Sequence, residues 1–481
     1  MKPLVLREYD SIQRDENISP TKDSPFRELR QGVYSLYYEY YDELRSALLK
    51  RESAETSHEE LRGSLLHFVR MKNKGHQEVL QIQHYVGVIQ LSQGFQIEVL
   101  PKIDLPPMGE EERNAKLEKI LLRMLGYLKD FPAIPSDTAD LDTKKTSLYE
   151  VFIQLYLSKV LSLIHHGLRY QYVTIEENLT SFKGKLNVMN QIKYNAVRKE
   201  RFYVTHDEYL SDTPENRLIK STLLYLSDKS VNNRNGREAR KLLQSFENTS
   251  ESKDYRADYS KITYDINNSY YHDVIEWSIA FLLGKSFVIS QGTTVADSLL
   301  FPMEKIFESY IAKRLTKVLR SSTYAPEWKI KTQSTKKFLF DDPKKFKIVP
   351  DIRIFKGKGP AEENIIFDTK WKKLDTTGEK RNNGISSADM YQMYAYAKRY
   401  KANDVWLLYP AIPNDNNITN TYLTNSDPTE YKGTQIELDT NVTIHIEFIN
   451  LSSLCDTGSA RKASQELDKK LLSLLQKSLL D

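Results

Sequence analysis

The sequence predicts an α+β protein of several domains, with a mixed β-containing N-terminal domain, a mainly helical middle and a C-terminal α/β core. The chain has 481 residues, which exceeds the size of one ordinary domain. Its apolar pattern changes twice along the chain, from short strands to helices and back to strands. Pro101, Pro106 and Pro107 interrupt the chain after the first strands. We therefore expect domains at residues 1–108, 109–295 and 296–481.

Composition and charge indicate a protein of the reducing cytoplasm. Hydrophobic residues make up 40% of the chain, enough for real cores. No run of about 18 apolar residues predicts a membrane span, and the first residues lack the hydrophobic stretch of a secretion signal. Cys455 is the only cysteine, which excludes a disulfide framework and a cysteine-based zinc site. The net charge of +4 is too balanced to predict nucleic-acid binding by itself.

The N-terminal domain combines a predicted helix with short strands. Apolar strands are expected at residues 79–82, 86–91 and 95–100, and the turn Ser92-Gln93-Gly94 makes a hairpin of the last two. Helical spacing before them predicts a helix whose tyrosine stripe is either a buried face or a partner surface. The residues in this stripe are Tyr34, Tyr37, Tyr38, Tyr41, Leu44 and Leu48.

The middle of the chain is predicted to be mainly helical, with one basic loop. Residues 181–186 interrupt the helical pattern with Gly184 between Lys183 and Lys185, which indicates a loop. A second turn is expected at residues 232–236. Helices are expected at residues 117–128, 148–163, 215–226, 237–246 and 271–288.

The last third of the chain alternates predicted helices and strands. Residues 411–433, rich in Asn, Thr and Pro, indicate a long surface loop. Seven lysines between Lys329 and Lys347 would suit a phosphate backbone, although ordinary lysines on a solvated hairpin give the same pattern. Helices are expected at residues 303–319, 388–400 and 463–479, and strands at residues 328–332, 337–340, 348–355, 364–368, 405–409 and 442–448.

The main chemical signal consists of Asp351, Asp368 and Lys370. Asp351 opens one predicted strand, and Asp368 ends another after an apolar run. Residues i and i+2 of a strand face the same side, so Asp368 and Lys370 project together. Two carboxylates can bind Mg²⁺, which polarises a phosphate and activates water, and a nearby lysine can stabilise the developing negative charge. A surface salt bridge is the alternative interpretation of so short a pattern.

Three further residues are candidate members of this site. Glu308, on the helix predicted from Met303, is either a third metal ligand or a solvent-facing acid. Gln392 and Tyr396 lie at positions i and i+4 and share one helix face. They could orient Lys370 or contact DNA, although packing alone would also explain the tyrosines around them.

The sequence does not contain a complete motif for nucleotide binding or a well-spaced pair of histidines for a metal ion. Gly284-Lys285-Ser286 resembles the end of a P-loop, but Ile279 stands where the motif requires a glycine. We therefore expect this chain to bind no nucleotide itself. His165 and His166 are adjacent, which is poor spacing for one metal ion on a helix.

These residues resemble the PD-(D/E)xK nuclease superfamily. Asp351, Asp368 and Lys370 match its nuclease positions, and Gln392 to Tyr396 is similar to the Gln-X-X-X-Tyr element of the RecB-like branch. More specifically, the chain resembles the McrC family, the nuclease partners of the GTPase McrB in modification-dependent restriction. The blocks that match in family order include Ile97-Glu-Val-Leu-Pro-Lys-Ile103, Asp212-Thr-Pro-Glu-Asn-Arg217, Phe301-Pro-Met-Glu-Lys-Ile-Phe-Glu308 and Phe367-Asp-Thr-Lys-Trp-Lys372.

This resemblance implies a function that composition and periodicity do not show. It implies a C-terminal restriction-endonuclease-like domain that cuts double-stranded DNA with Mg²⁺ or Mn²⁺. It also implies N-terminal and middle parts that engage a hexameric McrB-like AAA+ GTPase and stimulate GTP hydrolysis. Lys183 and Lys185 match a basic segment that reaches the partner, although a basic surface turn is the alternative. The role of residues 1–75 stays open.

Two alternative functions compete with this expectation. One is a self-sufficient DNA nuclease of the same superfamily, and the other is a non-cleaving activator of a partner NTPase. The complete Asp/Asp/Lys set argues against the activator. The sequence does not indicate which DNA modification would be recognised.

Overall fold

The structure is a computed structural model, and it describes most of the chain. The described residues are 3–18, 25–55, 69–74, 77–91, 95–128, 147–264, 268–283, 298–334, 337–357, 362–374, 384–411, 435–438, 442–455 and 460–480. The turn at 92–94, the P-loop-like residues 284–286 and nearly all of the loop expected at 411–433 lie outside these ranges.

Twenty strands and eleven α-helices make up the described fold. The strands are β1 (Leu4–Arg7), β2 (Ser11–Asp15), β3 (Phe26–Arg30), β4 (Val33–Tyr37), β5 (Val69–Lys74), β6 (Gln77–Ile82), β7 (Tyr85–Gln90), β8 (Gln96–Leu100), β9 (Gln171–Leu179), β10 (Lys185–Leu186), β11 (Phe202–Leu210), β12 (Ser298–Pro302), β13 (Lys329–Thr332), β14 (Lys337–Phe340), β15 (Lys345–Ile348), β16 (Ile352–Lys356), β17 (Glu363–Thr369), β18 (Ala402–Pro410), β19 (Gln435–Leu438) and β20 (Val442–Ile449). The helices are α1 (Tyr38–Glu55), α2 (Glu110–Leu125), α3 (Leu148–His166), α4 (Val188–Asn195), α5 (Pro214–Lys229), α6 (Asn233–Leu243), α7 (Tyr255–Lys261), α8 (His272–Leu283), α9 (Met303–Ser321), α10 (Ser387–Tyr400) and α11 (Ala460–Leu480).

The N-terminal region is built on a five-stranded sheet in the order β3-β4-β2-β6-β5. The expected tyrosine helix is partly wrong, because Tyr34 and Tyr37 lie on β4 and the helix begins at Tyr38. Tyrosine favours strands as well as packed helices, so tertiary pairing decides between them. Tyr41 and Leu44 are buried, which supports the packing interpretation of the stripe.

A second sheet, β1-β8-β7-β12, joins distant parts of the chain. The expected antiparallel pairing of β7 with β8 is confirmed. β12 lies in the range expected for the third domain, yet it pairs with β7. At Gly87 a Cβ atom would lie 2.0 Å from the Leu299 carbonyl oxygen, and the φ angle is +130°, so this close pairing requires glycine.

The helices of the middle region pack on this second sheet. One core runs from β7 through α2, α3, α5, α8 and α9 to the C-terminal sheet. The expectation of a mainly helical middle misses the long antiparallel strands β9 and β11. The second turn expected there is also partly wrong, because α6 begins at Asn233.

The C-terminal sheet has six strands in the order β13-β16-β17-β18-β20-β19. The expected strand at 348–355 is in fact the ends of two strands, β15 and β16, separated at Pro350. Apolar side chains alternate along β17: Ile365 and Phe367 pack toward α9, whereas Ile366 packs toward α10. The sheet is therefore covered on both faces, which holds its central strands rigid.

Strands β9, β10 and β11 form a separate sheet with α4 beside it, and we call residues 170–210 the aromatic module. Val204 is its only buried apolar side chain. Tyr209 stacks on Tyr170 with ring centroids 5.0 Å apart. Its large exposed apolar side chains are Tyr170, Tyr172, Phe182, Val188, Met189, Ile192, Tyr194, Val197 and Tyr209.

The α+β class expected from the sequence is confirmed, while the domain boundaries stay a prediction. In the described ranges, no helix combines the length and the apolar character that crossing a membrane requires.

Candidate active site at the end of the C-terminal sheet

Asp368 and Lys370 meet at the end of β17, as strand periodicity predicts. Lys370 Nζ lies 2.6 Å from Asp368 Oδ2. The backbone N–H of Lys370 donates to the Leu408 carbonyl at 2.9 Å, so the neighbouring strand β18 fixes the chain there. Asp368 is only 1% exposed, which excludes the interpretation of these residues as a surface salt bridge.

Asp351 lies at the adjacent end of β16. Ile352 pairs with Phe367 in the antiparallel register. Asp351, just before Ile352, therefore lies opposite Asp368, just after Phe367. The Asp351 carboxylate accepts hydrogen bonds from the Thr369 backbone N–H and hydroxyl, both at 2.8 Å. Thr369 therefore orients Asp351, a role that sequence reasoning missed.

Glu308 faces the sheet from α9. Its side chain is mostly buried and accepts hydrogen bonds from Gln333 and, at 3.2 Å, from Lys305. Gln333 also donates its backbone N–H to the Asp351 carbonyl at 2.9 Å, which ties Glu308 to the same strand end. The alternative of a solvent-facing acid does not fit this arrangement.

Burial and neighbouring negative charge raise the pKa values of Asp368 and Glu308. Burial raises the pKa of Asp368, and the negative charges of Asp351 and Glu308 raise it further against the opposing effect of Lys370. Burial and the charge of Asp351 likewise raise the pKa of Glu308. Burial lowers the pKa of Lys370, but the carboxylates outweigh it and hold that pKa above its ordinary value. The site therefore concentrates negative charge that a cation would stabilise.

Gln392 and Tyr396 form a chain of hydrogen bonds that positions Lys370. Lys370 Nζ donates to Gln392 Oε1 at 2.9 Å, and Gln392 Nε2 donates to the Tyr396 hydroxyl at 2.6 Å. The Tyr396 hydroxyl donates to the Val349 carbonyl at 2.9 Å, just before Asp351. Of the two roles expected for these residues, orientation of the lysine agrees with the geometry.

The carboxylates of this site can be compared with the ligands that a divalent metal ion requires. Within the described ranges, no three carboxylate, histidine or cysteine side chains already stand as a metal-binding group. Asp368 is paired with Lys370 instead, and Asp351 with Thr369. However, Asp368 Oδ2 is buried with Lys370 as its charged neighbour, and all three acids offer the oxygen ligands that Mg²⁺ prefers. The chemistry of this donor set, three carboxylates on adjacent elements, fits such an ion.

Trp371 connects this site to the N-terminal region, a contact that no local pattern predicts. Its indole N–H donates to both carboxylate oxygens of Glu8, at 3.1 and 3.0 Å. The Lys102 backbone N–H also donates to Glu8, at 3.0 Å. Burial raises the pKa of Glu8 to about 7.

Lys183 and Lys185 belong to the aromatic module and not to this site. Lys183 Nζ lies 2.5 Å from Glu208 Oε1, whereas Lys185 is exposed on β10. Gly184 between them has a φ angle of +71°, and a Cβ there would lie 2.5 Å from His206 Cβ. Glycine is therefore required for the turn that presents the two lysines.

Comparison with known proteins was made by sequence and by structure. No curated protein gave a significant match. A chain from the half-complex of Thermococcus gammatolerans McrB AAA+ hexamers with bound McrC has a TM-score of 0.64 at 17% identity, and the alignment covers 98% of this chain and 100% of that chain. At that identity the likeness shows a shared fold. A chain from the cryo-EM structure of the Thermococcus gammatolerans McrBC complex aligns at 18% identity with a TM-score of 0.47, over 68% of this chain and 90% of that chain.

The family comparison covers most of the sequence. The family model described as "McrBC 5-methylcytosine restriction system component" matches residues 80–410, which include the ends of β16 and β17 and the aromatic module. The blocks that resemble McrC lie within this range. The chain therefore belongs to the family of McrBC 5-methylcytosine restriction system components, as its resemblance to McrC predicted.

Proposed function

We propose that this chain is the DNA endonuclease subunit of a GTP-dependent, modification-dependent restriction complex. The observation that carries the proposal is the assembly of Asp351, Asp368 and Lys370 at adjoining strand ends. A salt bridge between surface residues would be exposed to solvent. Phosphodiester hydrolysis instead needs carboxylates and a cation held near the scissile phosphate.

The chain's own residues have distinct roles in this chemistry. Asp351, Asp368 and Glu308 would hold Mg²⁺ or Mn²⁺, which supplies Lewis acidity and lowers the pKa of a bound water. Lys370 orients the attacking water and stabilises negative charge on the phosphate. Gln392 restricts Lys370 to one position, and Thr369 does the same for Asp351.

We further propose that the aromatic module engages an AAA+ GTPase. The similar solved chain comes from a complex of McrB AAA+ hexamers with bound McrC. In this chain, exposed apolar side chains concentrate on the module, and such patches mark protein interfaces. The exposed Lys185 is the better candidate for reaching acidic groups or nucleotide phosphates, because Lys183 is already paired with Glu208.

The two alternative functions lead to different outcomes. A self-sufficient nuclease would cut without a partner and would not need an exposed module with almost no core of its own. A non-cleaving activator would stimulate GTP hydrolysis without requiring Asp368. The proposed function requires both activities from one chain.

The test is reconstitution with an McrB-like AAA+ GTPase. The two proteins are mixed with Mg²⁺, GTP, and methylated or unmethylated duplex DNA, and cleavage and GTP turnover are measured together. We expect cleavage only with partner and GTP, and lower GTP turnover with the Lys185→Ala chain at saturation. Cleavage without the partner would support the self-sufficient nuclease, and GTPase stimulation without any cleavage would support the activator.

A further inference from the structure

The antiparallel hairpin β14–β15 (residues 337–348) stands beside the candidate active site. It is inserted between β13 and β16, which pair with each other in the C-terminal sheet. Its second strand leads through Pro350 directly to Asp351. The hairpin therefore begins and ends beside the strand ends at which the carboxylates lie.

One face of this hairpin combines lysines with aromatic rings. Phe338 pairs with Lys347 and Phe340 with Lys345, and residues directly opposite in an antiparallel pair share a face. The ring of Phe346 contacts that of Phe340, with centroids 5.9 Å apart. Phe340 is 53% exposed and Phe346 is 70% exposed, which is unusual for phenylalanine.

The hairpin carries a net positive charge, and two of its lysines have no acidic partner among the described side chains. Residues 337–348 contain four lysines and two aspartates, and Asp341 is already paired with Arg399 at 2.5 Å. Among the described side chains, no carboxylate pairs with Lys345 or Lys347. These lysines can therefore contact an external anion without losing a partner in the protein.

Helix α10 anchors the hairpin and the catalytic lysine together. The Tyr400 hydroxyl donates to the Ser334 carbonyl at 3.0 Å, at one base of the hairpin. The Tyr396 hydroxyl donates to the Val349 carbonyl at the other base. The same helix holds Lys370 through Gln392. The hairpin is thus a firm extension of the site.

We propose that the β14–β15 hairpin binds duplex DNA beside the cleavage site. Lys345 and Lys347 contact backbone phosphates, while Phe340 and Phe346 pack against the sugars and base edges of the groove, as apolar wedges do. Four strand residues at roughly 3.3 Å each extend about 13 Å, or about four base pairs, from the carboxylates. The proposal rests on the proposed nuclease function, and it names the element that holds the substrate.

The test measures DNA binding by the full-length chain, separately from cleavage. Fluorescence anisotropy with a labelled 40-base-pair duplex is followed over a range of salt concentrations without nucleotide or metal ion. The Lys345→Ala/Lys347→Ala chain should bind roughly 10- to 100-fold more weakly at about 50 mM salt, with a salt slope lower by about two. Phe340→Ala/Phe346→Ala should weaken binding with little change in slope. The control is Lys241→Ala/Lys253→Ala, which removes two exposed lysines from the middle region.

The measured outcomes separate DNA binding by the hairpin from binding of a partner protein. Normal DNA binding by both hairpin variants, or no DNA binding by the wild-type chain, would overturn the proposal. Normal DNA binding with loss of partner assembly would overturn it in favour of a protein-binding hairpin. A failure of the nuclease function would show in a separate measurement. The wild-type complex would then bind DNA without cutting it.

Discussion

The end of the C-terminal sheet and the aromatic module use their side chains in opposite ways. In the sheet, the ionisable carboxyl group of Asp368 is buried among apolar strands that are covered on both faces. In the module, Tyr172 is 75% exposed and Met189 is 80% exposed, while Val204 alone among its apolar side chains is buried. Each arrangement is unfavourable for a free folded protein, because buried charge and exposed apolar surface both cost free energy.

Under the proposed function, the two regions bind different kinds of partner. A buried, hydrogen-bonded cluster of acids and lysine suits a small reacting group whose position must be controlled to a fraction of an ångström. A thin sheet with exposed rings suits a large protein surface that buries the rings on binding. Variants of the two regions should therefore separate cleavage from partner activation.

The largest expected effect is that of Asp368→Asn in the reconstituted complex. The substitution keeps the side-chain volume but removes a charged oxygen ligand, so we expect cleavage to fall by at least about 10³-fold. GTPase stimulation should stay at the wild-type level, because Asp368 is buried in the C-terminal sheet and the module forms a separate sheet. DNA cleavage and GTP turnover measured on one sample decide the result. Wild-type cutting by this variant would remove Asp368 from the site.

The converse variant is Tyr172→Ser combined with Met189→Ser in the module. Loss of two exposed apolar anchors should weaken partner binding by about 30- to 100-fold, as for residues central to an interface. Because both side chains are exposed, the melting temperature of the free chain should change little. Titration of the chain into the GTPase, read as GTP turnover, gives the affinity. Unchanged half-saturation would place the partner surface elsewhere.

A smaller effect is expected from Glu308→Gln. The amide keeps the hydrogen bond with Gln333 possible but removes one negative charge from the carboxylate cluster. We expect cleavage to fall by roughly 10- to 100-fold at low Mg²⁺ concentration and to recover partly at high concentration, since a metal ligand is weakened. The matched control is Glu304→Gln on the same helix, at an exposed position. Equal Mg²⁺ dependence in both variants would contradict a role for Glu308 near the ion.

The smallest effect concerns a buried acid outside both regions, Glu118 on α2. Burial, together with the charge of nearby Glu98, raises its pKa from 4.5 to about 9, and its Oε1 has no partner among the described residues. A raised carboxyl pKa favours the folded state below pH 4.5, and this stabilisation is lost progressively as pH rises from 4.5 to 9. Glu118→Gln should therefore stabilise the protein at pH 8 and much less at pH 5.

The expected gain at pH 8 is about 1–2 kcal/mol, because the buried amide leaves donors of its own unsatisfied. Thermal melting at the two pH values measures it. Cleavage should be unchanged, which would distinguish a buried acid without a catalytic role from Asp368. Equal melting shifts at pH 5 and pH 8 would contradict the ionisation argument.

Much of the candidate site could be predicted because its key relations are local. Asp368 and Lys370 are two residues apart on a strand, and Gln392 and Tyr396 are four apart on a helix, so periodicity alone places each pair on one face. The strands β9 and β11 could not be predicted in the same way. On β9 half-buried Val173 and Ile175 alternate with exposed positions, but the exposed Tyr172 and Tyr209 and the buried His206 weaken the apolar alternation that identifies a half-buried strand.

The α+β class, most helices, the family resemblance and the pairing of Asp368 with Lys370 could all be predicted from the sequence. The contact of Asp351 with Thr369, the pairing of β12 with β7 in the second sheet, and the hydrogen bond from the Trp371 indole N–H to Glu8 depend on the packing of the whole chain. The two groups of relations differ in how far apart in the sequence the contacting residues are. Backbone geometry fixes the relation between neighbours within a strand or a helix, whereas contacts between distant residues depend on strand register and packing of the whole chain.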